Sequence, residues 1–196
     1  MYIKKMIIGI SLLLFTACGT TRYVYKQSSV VSNPYHAPRI ASATKQAYVN
    51  AVNQMRSHGR TCGNKGYFPS APPLRWNESL YRAAYEHSAD MMVNDMFTHQ
   101  GSNRAGDWTS KVQHLGRASN FKDRIENNGY KQWKRLAQNI AAGMPSVSQT
   151  MQQWETSADH CVNIMNPLFR EFGMAHVQKK GTKYAHYWTQ NFALHQ

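Results

Sequence analysis

Apolar residues recur at helical spacing in the first half of this chain and alternate with polar ones near its end. Ala47, Ala51 and Met55 lie four residues apart and predict a helix over residues 43–58, ended by Gly59. Residues 60–75 hold Pro69, Pro72 and Pro73 and read as a loop. Asn77 is a good N-cap for a second helix over 78–96, whose stripe is Leu80, Ala84, His87 and Met91. Residues 97–137 show no period; they read as irregular, with a short helix near 121–128 stopped by Gly129. A short strand or turn follows at 139–143. Ser146 and Gln149 have the spacing of a capping box for a helix through Trp154, and a second short helix spans 160–165 before Pro167 breaks it. Strands over 171–178 and 184–194, joined by the turn Lys179-Lys180-Gly181, complete the pattern. Helices first, a polar middle and strands last predict an α/β domain with helices packed on an antiparallel sheet.

The first seventeen residues follow a different logic. Lys4 and Lys5 precede an apolar run from Met6 to Phe15, too short for the roughly 20 residues a membrane-spanning helix needs. Basic start, short apolar core and small residues describe a secretory leader. Phe15-Thr16-Ala17-Cys18 resembles the bacterial lipobox. That resemblance implies cleavage before Cys18 and a diacylglycerol on its sulfur, with the new amino terminus acylated. The chain then divides into a leader (1–17), a lipidated tether rich in Ser, Thr, Val and Tyr (18–42) and a domain (43–196). The expected location is the cell envelope, on the extracytoplasmic side of a membrane. In a Gram-negative cell that is the outer membrane or a surface facing the periplasm.

Export changes the meaning of charge and of cysteine. Removing 1–17 takes out two lysines and no acid, so 23 basic residues become 21 against 10 acids, a net charge of +11. Such a chain favours anionic surroundings, and outside the cytoplasm these are headgroups and wall polymers far more than nucleic acid. Residues 104–135 concentrate the charge: eight cations (Arg104, Lys111, Arg117, Lys122, Arg124, Lys131, Lys134, Arg135) stand against Asp107, Asp123 and Glu126, with Trp108, Phe121, Tyr130 and Trp133 between them. Basic residues interleaved with aromatics can follow a polyanion, although a solvated loop has the same composition. Of three cysteines, Cys62 and Cys161 remain once Cys18 is lipidated, and an oxidising compartment favours a disulfide between them.

Several strings, taken in order, identify a family. They are Pro73-Leu74-Arg75-Trp76-Asn77, His87-Ser88-Ala89-Asp90-Met91, Phe97-Thr98-His99, Asn139-Ile140-Ala141-Ala142-Gly143, Trp154-Glu155-Thr156-Ser157, His160-Cys161-Val162-Asn163 and Tyr187-Trp188-Thr189-Gln190. Together they resemble the CAP superfamily (cysteine-rich secretory proteins, antigen 5 and pathogenesis-related 1), in its bacterial SCP-domain branch. The resemblance implies an α–β–α sandwich with a central antiparallel sheet. It also implies a cleft lined by two histidines and two acids able to hold a divalent metal such as zinc. His99 and His160 match the histidines; Gln138 and Ser157 stand where the acids would be.

These substitutions decide which functions remain open. Catalytic zinc usually has three protein ligands and an open position, and hydrolysis needs an activated water. Gln138 is neutral, and Glu155 lies about 200° round its helix from Ser157, facing elsewhere. The leading expectation is a cleft that binds a ligand or wall component. A metal-assisted hydrolase using His99 and His160, and a basic adaptor for anionic envelope polymers, are the alternatives. His87, on an apolar stripe, reads as a core histidine, and Trp76, Trp154 and Trp188 read as core packing.

Overall fold

The computed structural model describes residues 36–196, so the leader, Cys18 and most of the tether lie outside the described residues. Helix α1 runs Ser42–Arg56, followed by two short strands, β1 (Arg60–Thr61) and β2 (Tyr67–Phe68), paired antiparallel around a single 3-10 turn, Gly63–Lys65. Strand β3 is Arg75–Trp76 and α2 is Glu78–Val93. Asn77 caps α2 as its position predicts, its Oδ1 accepting from the backbone N–H groups of Ser79 and Leu80. Next come α3 (Trp108–Val112), α4 (Phe121–Asn127) and β4 (Trp133–Ala142). Helices α5 (Val147–Thr156) and α6 (Ala158–Met165) and strands β5 (Glu171–Gln178) and β6 (His186–His195) end the chain. Ahead of α1, Ala37 is buried and the Pro38 carbonyl accepts from the Tyr81 hydroxyl at 2.9 Å.

Three expectations need correction. The stretch read as irregular contains α3 and the first half of a ten-residue strand, so 139–143 is only the tail of β4. Strand β4 hides from pattern reading because it starts exposed, at Lys134 and Arg135, and then carries buried Gln138 and Asn139 where apolar residues would signal a strand. Ser146 does cap α5, but Gln149 turns its amide oxygen to the Ser146 hydroxyl and the reciprocal backbone bond is not made. The complete box sits on α4, between Asn120 and Asp123. The loop 60–75 also holds β1, β2 and the start of β3.

The main sheet has the order β3-β5-β6-β4. Its three long strands are antiparallel; only the two-residue β3 runs parallel to its neighbour. Helix α2 covers one face. It lies so close that a Cβ on Gly173 of β5 would sit 2.1 Å from the Tyr81 backbone nitrogen and 2.4 Å from the Leu80 carbonyl carbon. The other face carries the largest apolar cluster, in which Phe172, Met174, Trp188 and Phe192 meet Val52, Met55, Trp154, Ile164 and Met165. Trp154 and Trp188 are buried with their indole N–H groups donating to the carbonyls of Ile140 and Met144; Trp76 is partly buried against the same cluster. The result is a sheet between two helical layers.

Two cross-links hold α1, the proline loop and α6 together. Cys62 and Cys161 form a disulfide with a Cα separation of 5.4 Å, closing a loop of 99 residues. In the chain-entropy picture such a loop stabilises the fold by about 4–5 kcal/mol. Arg56, fully buried, donates to the carbonyls of Pro72, Ile164 and Asn166. Among the described residues no carboxylate pairs with it; carbonyl dipoles solvate the charge, and burial, then the Arg170 charge, lowers it to about 10.

His87 is a core histidine, fully buried, and its Nε2–H donates to the Thr98 carbonyl at 2.9 Å. Burial, and then the Arg124 charge, hold it well below the usual histidine range. An unfolded histidine takes up a proton as the pH falls through about 6.5, while the folded one stays neutral. The unfolded state then binds more protons, and stability falls as the pH drops below that point. His87→Gln should flatten the fall in urea midpoint between neutral and mildly acid pH. Equal slopes for wild type and variant would rule this contribution out.

Candidate functional site

Strand β4 is the outer edge of the sheet, and two of its consecutive residues face opposite layers because side chains alternate along a strand. Gln138 faces the α2 side. Asn139 faces the side of α5 and α6. Each holds one of the two histidines.

On the α2 side a chain of amides fixes the chemistry of His99. Asn191, the register partner of Gln138, donates from Nδ2 to the Leu80 carbonyl at 3.1 Å. A carbonyl can only accept, so the Asn191 oxygen must point the other way, where it accepts from Gln138 Nε2 at 3.0 Å. Gln138 therefore presents Oε1 to His99 Nδ1, 3.0 Å away, and that nitrogen must be the donor. The neutral imidazole of His99 is held with its proton on Nδ1 and its lone pair on Nε2.

On the other side Asn139 Nδ2 donates to the His160 carbonyl at 3.2 Å and to Gln190 Oε1 at 3.3 Å, while its Oδ1 accepts from Asn163 at 2.9 Å. The His160 ring is half-buried beside Trp154, with centroids 6.5 Å apart, and its buried Nδ1 has no hydrogen-bond partner among the described residues. Burial lowers its pKa, and nearby His99 adds to that, since a charge on one imidazole disfavours a charge on the other.

The loop bearing His99 rests on a buried polar layer. Arg124 donates from Nη2 to the His99 carbonyl at 2.7 Å and from Nη1 to the carbonyl and hydroxyl of Ser119. Burial lowers this guanidinium to about 10, opposed by the charges of Glu86, Asp107, Asp90 and Asp123. Glu86 accepts from the backbone and hydroxyl of Thr109 and from Asn128. Asp90 accepts from Ser102 twice and from Asn94. Asp107 takes the backbone N–H groups of Asn103, Ser110 and Ser119. Sequence reading missed this layer, although Glu86 and Asp90, four apart among the buried residues of α2, were a signal for it.

Ser157, the fourth cleft candidate, makes no hydrogen bond to these groups among the described residues. Ser157 sits at the junction of α5 and α6; its carbonyl accepts from Cys161 N–H, and among the described residues its hydroxyl has no hydrogen bond. Glu155 is turned away, as its helical angle predicts, and pairs with Arg60. It borders a separate groove of about 640 Å³ between α1 and α5.

This fold, with the cysteine pair beside one of two histidines at a sheet edge, has known relatives. A family model described as CAP, the cysteine-rich secretory protein family, matches residues 49–192, well over half of the chain. The chain belongs to the CAP family. Among curated proteins it is 27% identical over 156 residues to the uncharacterized protein YkwD of Bacillus subtilis, an alignment covering 80% of this chain and 49% of the relative. This chain thus spans about half the length of that relative. Among solved structures, an extracellular SCP-domain protein from Bacillus anthracis aligns with a TM-score of 0.55 at 21% identity, over 80% of this chain and 45% of that one. An outer surface protein of Borrelia burgdorferi aligns with a TM-score of 0.58 at 12% identity, over 82% of this chain and 99% of its own. These likenesses establish the α–β–α fold of the CAP domain.

The donor set fits a catalytic zinc poorly. Two imidazoles are present, the oxygen of Gln138 already holds the His99 N–H, and among the described residues no three His, Cys, Asp or Glu side chains converge. What the CAP edge does offer is an accepting nitrogen on His99 and a nearby neutral imidazole on His160. At mildly alkaline pH, ¹⁵N NMR should find His99 Nε2 unprotonated, and Gln138→Ala should bring back the mixture of tautomers. A protonated Nε2 in the wild type would overturn this tautomer assignment.

Proposed function

We propose that this chain is an exported lipoprotein, anchored through Cys18 on the extracytoplasmic side of a membrane, whose CAP domain binds a ligand or wall component at the β4 edge without cleaving it. The observation that carries this reading is the Gln138–His99 hydrogen bond. A carboxylate at 138 would make His99 a stronger base and a stronger metal ligand; a neutral amide orients the ring without activating it. Export is supported by the leader pattern, by the disulfide and by the family description "cysteine-rich secretory". Two structural neighbours, an extracellular protein and an outer surface protein, agree with it.

Protein purified without chelators should contain no stoichiometric zinc, and Gln138→Glu should raise zinc affinity by about 10–100-fold, the usual weight of a carboxylate behind a ligating histidine. One zinc per wild-type chain, lost in His99→Ala, would replace binding with the metal-assisted hydrolase. For the anchor, the full chain expressed in bacteria should partition into detergent and carry the lipid mass, whereas Cys18→Ser should stay aqueous. Equal partitioning of the two would remove the anchor.

A second reading, contact with anionic envelope polymers through residues 104–135, draws support from the exposed Arg104, Lys111, Lys122, Lys131, Lys134 and Arg135. Two of the eight cations in that stretch are unavailable: Arg124 is buried and Arg117 is paired with Asp123.

A further inference from the structure

A second polar site lies at the end of the sheet where β4 begins and β6 ends. A pocket of about 530 Å³ there is lined by Arg75 of β3, Ser79 of α2, Lys131 and Gln132 of the turn before β4, Glu171 of β5 and His195 of β6. The sheet register gathers them: Arg75 is the partner of Glu171, and Trp133, next to Gln132, is the partner of His195. Glu171 is held from two sides. The buried Tyr130 donates its hydroxyl to Oε2 at 2.6 Å, and Asn77 donates from Nδ2 to Oε1 at 3.1 Å. The turn carrying Lys131 is pinned as well. Gly129 and Gln132 both have positive φ, the Gln132 carbonyl accepts from the Gln196 N–H at 2.9 Å, and the Asn128 carbonyl accepts from Arg82 at 2.9 Å. Arg75 and Lys131 are exposed, and among the described residues neither enters an ion pair.

We propose that this pocket binds a phosphate monoester of a sugar, with Arg75 and Lys131 on the phosphate and Glu171, Ser79 and Gln132 on the sugar hydroxyls. Charge selects the phosphate. A monoester carries about −1.5 to −2 near neutral pH, which two unpaired cations match, whereas a carboxylate would leave one of them over. A guanidinium offers paired, planar N–H donors to phosphate oxygens, and an ammonium adds a point charge. Glu171 selects the sugar. Each of its oxygens accepts one hydrogen bond from the protein and keeps a lone pair that a hydroxyl can fill. Burial, and then the bond to Glu171, push the Tyr130 hydroxyl above its usual range, so it stays a donor to that carboxylate. The volume lies within the roughly 300–1,000 Å³ of small-molecule sites, and a polar lining suits a hydroxylated ligand better than an apolar one. The site shares no residue with the His99–His160 edge and takes only the turn 129–132 from the basic stretch, so it goes beyond both readings above.

The test is titration calorimetry of the full chain, in detergent, with glucose 6-phosphate. Saturable binding of one ligand per chain is expected. Arg75→Gln and Lys131→Gln, both at exposed positions, should each weaken it about 10–100-fold at an unchanged thermal midpoint, the usual weight of a hydrogen bond to a charged group. Inorganic phosphate, which lacks the sugar, and glucuronate, which lacks the second charge, should each bind at least about tenfold more weakly. Lys122→Gln/Lys134→Gln lowers the charge of the basic stretch outside the pocket and should leave this affinity unchanged while weakening contact with anionic polymers. His99→Ala/His160→Ala should bind as the wild type does, which keeps the outcome separate from the reading given to the β4 edge. Vesicles bearing a monophosphoryl glycolipid identify the source: competition with glucose 6-phosphate assigns a lipid headgroup and its absence a soluble sugar phosphate, and either supports the pocket. No saturable binding, equal binding of inorganic phosphate or glucuronate, an affinity that follows Lys122 and Lys134 rather than Arg75, or loss of binding in the histidine double variant would each overturn the proposal.

Discussion

The arrangement depends on the period of a β-strand at one sheet edge. Consecutive residues of β4 must point to opposite layers, and here both are amides. Gln138 reaches the histidine carried by the loop after α2, and Asn139 fastens the helix carrying the other. Each amide is in turn anchored, Gln138 through Asn191 to a backbone carbonyl and Asn139 through Asn163 to α6 and through Gln190 to the neighbouring strand. Burying so many polar groups is costly unless each finds a partner, and in this chain of side-chain amides they do. A hydrophobic edge would pack as well, but it would leave the two imidazoles without fixed orientation.

Much of the architecture was legible from residue spacing. Helices α1 and α2, strands β5 and β6 and the cap at Asn77 fall close to their expected places because each buries an ordinary apolar face. What escaped was polar. Strand β4 carries Gln138 and Asn139 where a pattern reader looks for Val or Ile, and the segment before it folds around Glu86, Asp90, Asp107 and Arg124 rather than around an apolar stripe. Hydrophobic periodicity cannot register a layer whose cohesion is hydrogen bonding.

The same contrast holds at the site. His99, His160, Gln138 and Ser157 were singled out through family resemblance, and the structure gives each its own contacts. His99 and Gln138 touch, His160 lies within electrostatic reach, and Ser157 serves the junction between two helices. Nothing in the residue types alone could say which end of Gln138 faces His99. That followed only when the amide chain was traced back to Leu80, whose carbonyl cannot donate.

That starting point exists because Gly173 has no side chain. Gly173 is the register partner of Asn191, and the Leu80 carbonyl carbon occupies the space a methyl group there would need. Any larger residue would lift the helix from the sheet and pull the acceptor out of Asn191's reach. A missing methyl on one strand thus governs where a hydrogen atom rests on an imidazole two strands away, beyond the far border of the same sheet.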